Sequence, residues 1–456
     1  MRIIIIIASL FSLMACDEWL NVSPETEATQ KELLTTETGF TDALNGVYIE
    51  MKDDKSYGSN LSMTFLEFLV SSWDPKASLW KEELGMFNYG NIITEQKIND
   101  ICRHQYFTIA NINSILNSID AKKSAFSTDG LFELIKGESL ALRAYIHFDL
   151  LRMFGPVPGT ENDELMLPYV TKLSKNQTPF STYAEYQELL LSDIKAAQAL
   201  LKEAELYDNY SEYRSIRMNE EATRALEARM QLWFGNKERA FELSKEIVGN
   251  TAKVLGTAKD FGNGYYSLPN EHIFGLHEYD MYNVFQDDFY SLGLKKGTSP
   301  LIINSELYEN SGTDIREVYL WEEVTATNAA KGYVIKKYKV PEKLSSGRFD
   351  EDRRRIPLIR LSEMYLIAAE SAPDMSTAQT YFNEFRVSRN ISGMYFNDDA
   401  SMQTEIIKEY RKEFFAEGQA FYAYKRLSVD KANFLWLPYG ATINYVIPFP
   451  KSNTPQ

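Results

Sequence analysis

The sequence predicts a mainly α chain of tetratricopeptide-like helix pairs that carries an irregular, loop-rich portion with short strands. Three observations predict it. Apolar residues recur at helical steps, as in Leu140, Ala144, Phe148 and Leu151. Two separated stretches each read as helix, tight turn, helix. Between them, residues 250 to 355 lose the helical period and turn rich in Gly, Tyr and Asn.

The helix through Leu151 must stop at Gly155-Pro156-Val157-Pro158, because proline lacks a backbone donor and restricts the residue before it. Between Glu221 and Val248, Ala222, Leu226, Ala228 and Leu232 share one helix. Gly235-Asn236 breaks it, and Ala240, Leu243 and Ile247 resume. From Ile359 to Val387 the plan repeats, with Leu361, Tyr365 and Ala368, a turn at Pro373-Asp374, then Ala378, Phe382 and Phe385. In the central portion, His272 to Glu278 reads as strand-like and Trp321 as a strand residue. The charged run from Asp350 to Arg355, with Arg348 before it, is expected to be a solvated turn, followed by a helix that begins near Pro357. Glu413 and Glu417 are expected on one face of the last long helix, in ion pairs with Lys425-Arg426.

The N-terminus predicts export. Met1-Arg2 is a charged start, Ile3 to Met14 is an apolar run relieved only by Ser9 and Ser12, and Ala15 precedes Cys16. The run is shorter than the ~20 apolar residues needed to span a bilayer, and no later run is long enough. Leu13-Met14-Ala15-Cys16 resembles a bacterial lipobox, which makes Cys16 the expected lipidation site. Several acyl chains on Cys16 would anchor firmly, at ~0.8 kcal/mol per buried CH₂. The polar stretch from Asp17 to Thr38, with Pro24, reads as a tether.

Composition narrows the ligand. Across 456 residues, 48 Lys plus Arg stand against 64 Asp plus Glu, a formal net charge of -16. Such a field repels phosphate backbones, so nucleic acid is excluded as a partner. With Cys16 lipidated, Cys102 has no second cysteine in the chain and reads as a small buried hydrophobe. Of the 28 Tyr, 26 Phe and 6 Trp, some belong to the core, and a protein that grips sugars or peptides would also expose some.

Catalytic motifs are missing from the sequence: no HExxH, CxxC pair, GxSxG, P-loop or GxGxxG, and hence no predicted cofactor. His272 and His277, beside Glu271 and Glu278, suggest a metal only superficially, since a strand puts residues five apart on opposite faces. Gly293, Gly297 and Thr298 with Lys295 and Lys296 lack the spacing of a phosphate loop and read as a surface turn. Acidic residues are plentiful, and no sequence rule singles out one pair in an apolar setting that would raise a pKa for glycosidase chemistry.

Four segments together resemble the SusD/RagB nutrient-uptake lipoproteins of the Bacteroidetes outer membrane. The first is Cys16-Asp17-Glu18-Trp19-Leu20 followed by Pro24; its acidic pair is similar to the surface-export signal of lipoproteins in that phylum. The second runs from Gly137-Glu138-Ser139-Leu140-Ala141-Leu142-Arg143-Ala144-Tyr145 to Phe154-Gly155-Pro156-Val157-Pro158. The third is Ile359-Arg360-Leu361-Ser362-Glu363-Met364-Tyr365-Leu366-Ile367-Ala368-Ala369-Glu370. The fourth is Glu409-Tyr410-Arg411-Lys412-Glu413-Phe414-Phe415-Ala416-Glu417-Gly418-Gln419, then Tyr422, Lys425-Arg426 and Ile447-Pro448. A short tail after Pro450 and a compact chain depart from the family and imply trimmed loops with a small binding face.

The resemblance implies a signal peptide over 1–15, a lipidated tether over 16–38 and one domain over 39–456. Within it, 39–249 and 356–427 would form a right-handed superhelical frame, and 250–355 would carry the binding face. It also implies a non-enzymatic lid that binds oligosaccharide over a SusC-like TonB-dependent outer-membrane transporter, facing the cell surface, with no cofactor. A peptide-binding lid and a helical-repeat surface scaffold are the alternatives. The expected contacts are Trp73 and Trp80, upstream of the helix bearing Tyr106, Ile109 and Asn111, and Tyr282 and Tyr290 in the central portion. Tyr279 and Phe285 crowd the same polar segment as Asn283 and Gln286.

Overall fold

The structure, a computed structural model, describes residues 32–72, 79–174, 176–209, 211–291, 306–325, 331–341 and 348–450. Cys16, Asp17 and Glu18 lie outside the described residues.

Side chains that satisfy the first free N–H groups open most of the helices. Thr36 caps α1 (Glu37–Met51), which begins within the stretch read as a tether. Asn91 Oδ1 accepts from Ile93 and Thr94 at the start of α2 (Ile92–Ile119). The helix α3 (Leu131–Phe154) is buried along its whole length except at Glu133 and Lys136, the pattern of a central helix packed on all sides. It ends at the Gly-Pro pair, as its sequence requires. Thr182 and Glu185 form a capping box on α4 (Tyr183–Ala204).

Asn219, Asn236 and Asp374 cap α5 (Glu220–Trp233), α6 (Lys237–Asn250) and α8 (Met375–Ser388). The helix α7 (Leu361–Ser371) precedes α8, and the frame closes with α9 (Asp399–Glu413) and α10 (Gln419–Arg426). Each helix from α1 to α8 packs on the next. The contact of α6 with α7 joins helices on either side of the central portion, so the frame is continuous in space although interrupted in sequence. The expected pairs α5–α6 and α7–α8 are both present, and Cys102 is fully buried within α2.

Two antiparallel ribbons organise the central portion. Strand β1 (His272–His277) pairs with β4 (Arg355–Arg360), and β2 (Trp321–Thr325) pairs with β3 (Lys331–Ile335). The strand expectations at His272 and Trp321 hold. The run before α7 does not follow expectation: Arg348–Arg353 is a short helix, and Arg355–Arg360 is strand rather than turn and helix. Ile356 to Arg360 are buried, and β1 offers them hydrogen-bond partners from a distant part of the chain. The helix therefore starts at Leu361, not near Pro357.

A second correction concerns Glu413 and Glu417, which do not share a helix. The helix α9 stops at Glu413, and Ala416 (φ 61°) and Gly418 (φ 72°) turn the chain into α10. A Cβ on Gly418 would stand 2.3 Å from the Leu61 carbonyl oxygen, so only glycine fits this crossing. Lys425 pairs with neither glutamate; its ammonium donates to the Met153 and Gly155 carbonyls at 3.1 and 2.7 Å and caps the end of α3. Arg426 pairs with Glu370.

Glu413 is instead the centre of a buried charge cluster. It accepts from Arg360 at 2.7 Å, Arg389 at 2.7 Å and Arg316 at 3.0 Å. Glu271 joins Arg360 and Arg389, Glu417 joins Arg360 and Lys337, and Asp314 and Glu409 complete the shell of Arg316. Burial alone would neutralise Glu413, but Arg389 and Arg360 outweigh it and hold the carboxyl well below the usual carboxylate range. Glu413→Gln removes the charge that three arginines share. Its unfolding free energy in urea should fall by roughly 3–5 kcal/mol, the cost of stranding buried charge. An unchanged midpoint would contradict this role.

Candidate functional site

The candidate site is built on the chain between α1 and α2. Residues 56–64 form buried turns with a polar interior: Ser56 donates to Gln105 at 3.0 Å, Gln105 donates to the Tyr57 hydroxyl at 3.2 Å, and Ser59 and Thr64 bond at 3.2 Å. A short helix, Phe65–Leu69, follows, and a second, Leu79–Gly85, carries Trp80 and Lys81.

Glu67 fixes the first of these helices to the turn between α9 and α10. Its Oε1 accepts from the Gly418 N–H at 3.0 Å, while Oε2 is sealed from solvent without a hydrogen-bond partner. Burial pushes the carboxyl up to about 7, against the opposing pull of the Ala416 and Gly418 N–H groups.

Trp80 is half-buried. Its ring meets Phe68 edge-on at 5.7 Å, and the ammonium groups of Lys97 and Lys81 lie 5.2 and 5.6 Å from its centre. Tyr282, in the short helix Met281–Phe285, is also half-buried at the margin of the core. Tyr279 is 75% exposed beneath the Arg354 guanidinium at 4.6 Å. Phe285 is core, stacked on Phe289 at 5.2 Å. Trp73 lies outside the described residues, as does the side chain of Tyr290.

Asp288 joins the two segments. It is buried, and burial pushes its carboxyl up to about 6, with Ser59 and Lys81 opposing and Asp287 and Asp54 adding to the rise. The 281–291 stretch therefore adjoins both the buried turns and the residue next to Trp80. Tyr106 is different: its hydroxyl donates to the Pro168 carbonyl at 3.1 Å, a frame contact. Sequence reasoning missed Glu67, Lys81, Lys97 and Asp288. None carries a motif, and only the fold brings them together.

Among the described residues, no group of three or more His, Cys, Asp or Glu is placed to hold a metal. His272 Nε2 lies 2.8 Å from the Ser267 carbonyl, and burial lowers its pKa well below the usual value. Among the same residues, no helix is long and apolar enough to cross a membrane.

A helical-repeat frame that carries an irregular portion with two short ribbons is the class of fold observed, and comparison with known proteins assigns the chain to a family. Residues 18–232 match a family described as SusD-like, starch-binding and associating with the outer membrane, and residues 204–455 match the SusD family itself. The second match covers more than half of the chain, which belongs to the SusD family.

A SusD-like protein of Formosa agariphila is 23% identical over 284 residues, which are 60% of this chain and 51% of that protein. The chain thus spans about half the length of the curated relative it matches. Among solved structures, a SusD superfamily protein of Bacteroides thetaiotaomicron is 22% identical with a TM-score of 0.69, covering 92% of this chain and 97% of that one. A SusD-like carbohydrate binding protein of Bacteroides vulgatus is 20% identical with a TM-score of 0.69, covering 86% and 83%. A laminarin binding SusD-like protein is 18% identical with a TM-score of 0.68, covering 92% and 97%. These structures share the mainly helical fold.

The raised pKa of Glu67 makes a signed prediction. A folded value of about 7, raised from the ordinary 4.5, means that the stabilisation from its neutral form is fully present below pH 4.5 and is lost as pH rises through 7. Glu67→Gln should therefore exceed the wild type in unfolding free energy by up to roughly 3 kcal/mol near pH 8. The gap should close towards about pH 4.5. A pH-independent difference in urea midpoint would rule out this titration.

Proposed function

We propose that this chain is a surface lipoprotein that binds glycan without catalysis and caps a SusC-like TonB-dependent transporter, passing oligosaccharide to it. The observation that carries this is that Asp288, on the segment bearing Tyr282, meets Ser59 and lies near Lys81 beside Trp80, in a member of the SusD family. Aromatic faces stack on the apolar faces of sugar rings, and carboxylates and amides accept and donate to their hydroxyls. Two structural neighbours, described as carbohydrate binding and laminarin binding, favour glycan as the cargo. Trp80, Trp73, Tyr282 and Tyr290 are the proposed ligand contacts. Cys16 is the proposed lipid anchor, on the outer face of the outer membrane. Energy for uptake would come from the machinery that drives the barrel.

Calorimetry against a panel of oligosaccharides and peptides tests the cargo. Trp80→Ala should weaken binding of the best glycan on the order of tenfold, the effect of losing one aromatic anchor, with the circular dichroism spectrum retained. A flat response to every glycan would sink the glycan reading. Cys16→Ala should move the protein from the membrane fraction to the soluble one, and purification of the native complex should recover a TonB-dependent barrel. Continued membrane retention, or a complex without the barrel, would count against the anchor and the lid respectively.

A further inference from the structure

The cations beside Trp80 lack, among the described residues, the carboxylate partners that most buried arginines of the molecule have. Among the buried cations, Arg143, Arg229, Arg316, Arg360, Arg389 and Lys337 each hold a carboxylate within 3.0 Å. Lys81 is 6% exposed yet makes no ion pair or hydrogen bond with any described residue, and Lys97 makes none either. Asp288 stands near enough to influence Lys81 but not within 4.0 Å of its ammonium. An ammonium withdrawn from water without a counter-charge is costly, and burial, with Lys97 nearby, lowers the proton affinity of Lys81. An anionic group placed beside the ring would relieve this and meet two cations at once.

We infer that the Trp80 subsite recognises an acidic glycan, one whose carboxylate or sulfate ester is received by Lys81 and Lys97 while a sugar ring lies against the exposed part of the indole. The inference rests on the glycan-binding reading above and adds its charge class. The formal net charge of -16 repels polyanions in general, so a preference for an acidic glycan must come from this local pair.

The test is calorimetry on the full mature chain with three probes of matched length: an oligogalacturonate, a sulfated galactan oligosaccharide and a neutral β-glucan oligosaccharide. At low salt one or both acidic probes should bind about tenfold more tightly than the neutral one. The preference should shrink as ionic strength rises past the point where the screening length falls below about 10 Å. Lys97→Gln, on the partly exposed face of α2, should weaken the acidic probe about fivefold more than it weakens the neutral probe. The carboxylate and sulfate arms tell the two anion sources apart. A neutral probe that binds as tightly as both acidic ones, or a Lys97→Gln protein that keeps the full preference, overturns the charge class while leaving glycan binding intact. Failure of all three probes overturns both readings.

Discussion

Glu413 and the arginines around it hold the two parts of this protein together. Arg360 arrives at the end of β4, Arg389 just after α8, and Arg316 from the short helix Ile315–Tyr319 of the central portion. Each would be expensive to bury alone, and together they share Glu413, Glu271, Glu409, Asp314 and Glu417. Such a cluster does less for net stability than apolar packing of the same volume would. Its effect is on geometry, because charges with so few alternatives in a dry interior fix where the central portion meets the frame.

The turn after Glu413 transmits that constraint to the candidate site. Lys337 donates to the carbonyls of Glu413 and Phe415 and to Glu417, and the Tyr338 hydroxyl donates to the Ala416 carbonyl at 2.7 Å. Tyr338 packs on Phe289, next to Asp288. On the other side of the same turn, the Gly418 N–H holds Glu67, whose helix supports Phe68 and hence Trp80. Both halves of the site therefore hang from residues 414–418. That is a physical reason for a helix break, with left-handed residues at Ala416 and Gly418, where an unbroken helix would have been simpler.

Local signals were enough for much of the frame. Asn219, Asn236 and Asp374 mark helix starts, Gly235 and Pro373 mark turns, and the Gly155-Pro156 pair ends α3, because capping and backbone restriction act within a few residues. The strand at Arg355–Arg360 was not legible in the same way. Its hydrogen-bond partners in β1 are some eighty residues away, and the charges before it resemble a solvated turn until that pairing is known. Glu413 and Glu417 share the four-residue spacing of one helix face, yet Gly418 must pass against Leu61, and that contact decides the break.

By itself, the sequence determined the class of fold, the end of α3, the turns within the two helix pairs and the family that its segments resemble. These are written in periodicity, caps and short ordered motifs, all properties of residues close in the chain. Only the tertiary structure decided which charges are buried together, that β4 is a strand, and that the Lys81 and Lys97 ammonium groups lie against the Trp80 ring. Those facts depend on contacts between segments tens to hundreds of residues apart, whose energies arise from burial and from charge separation in space.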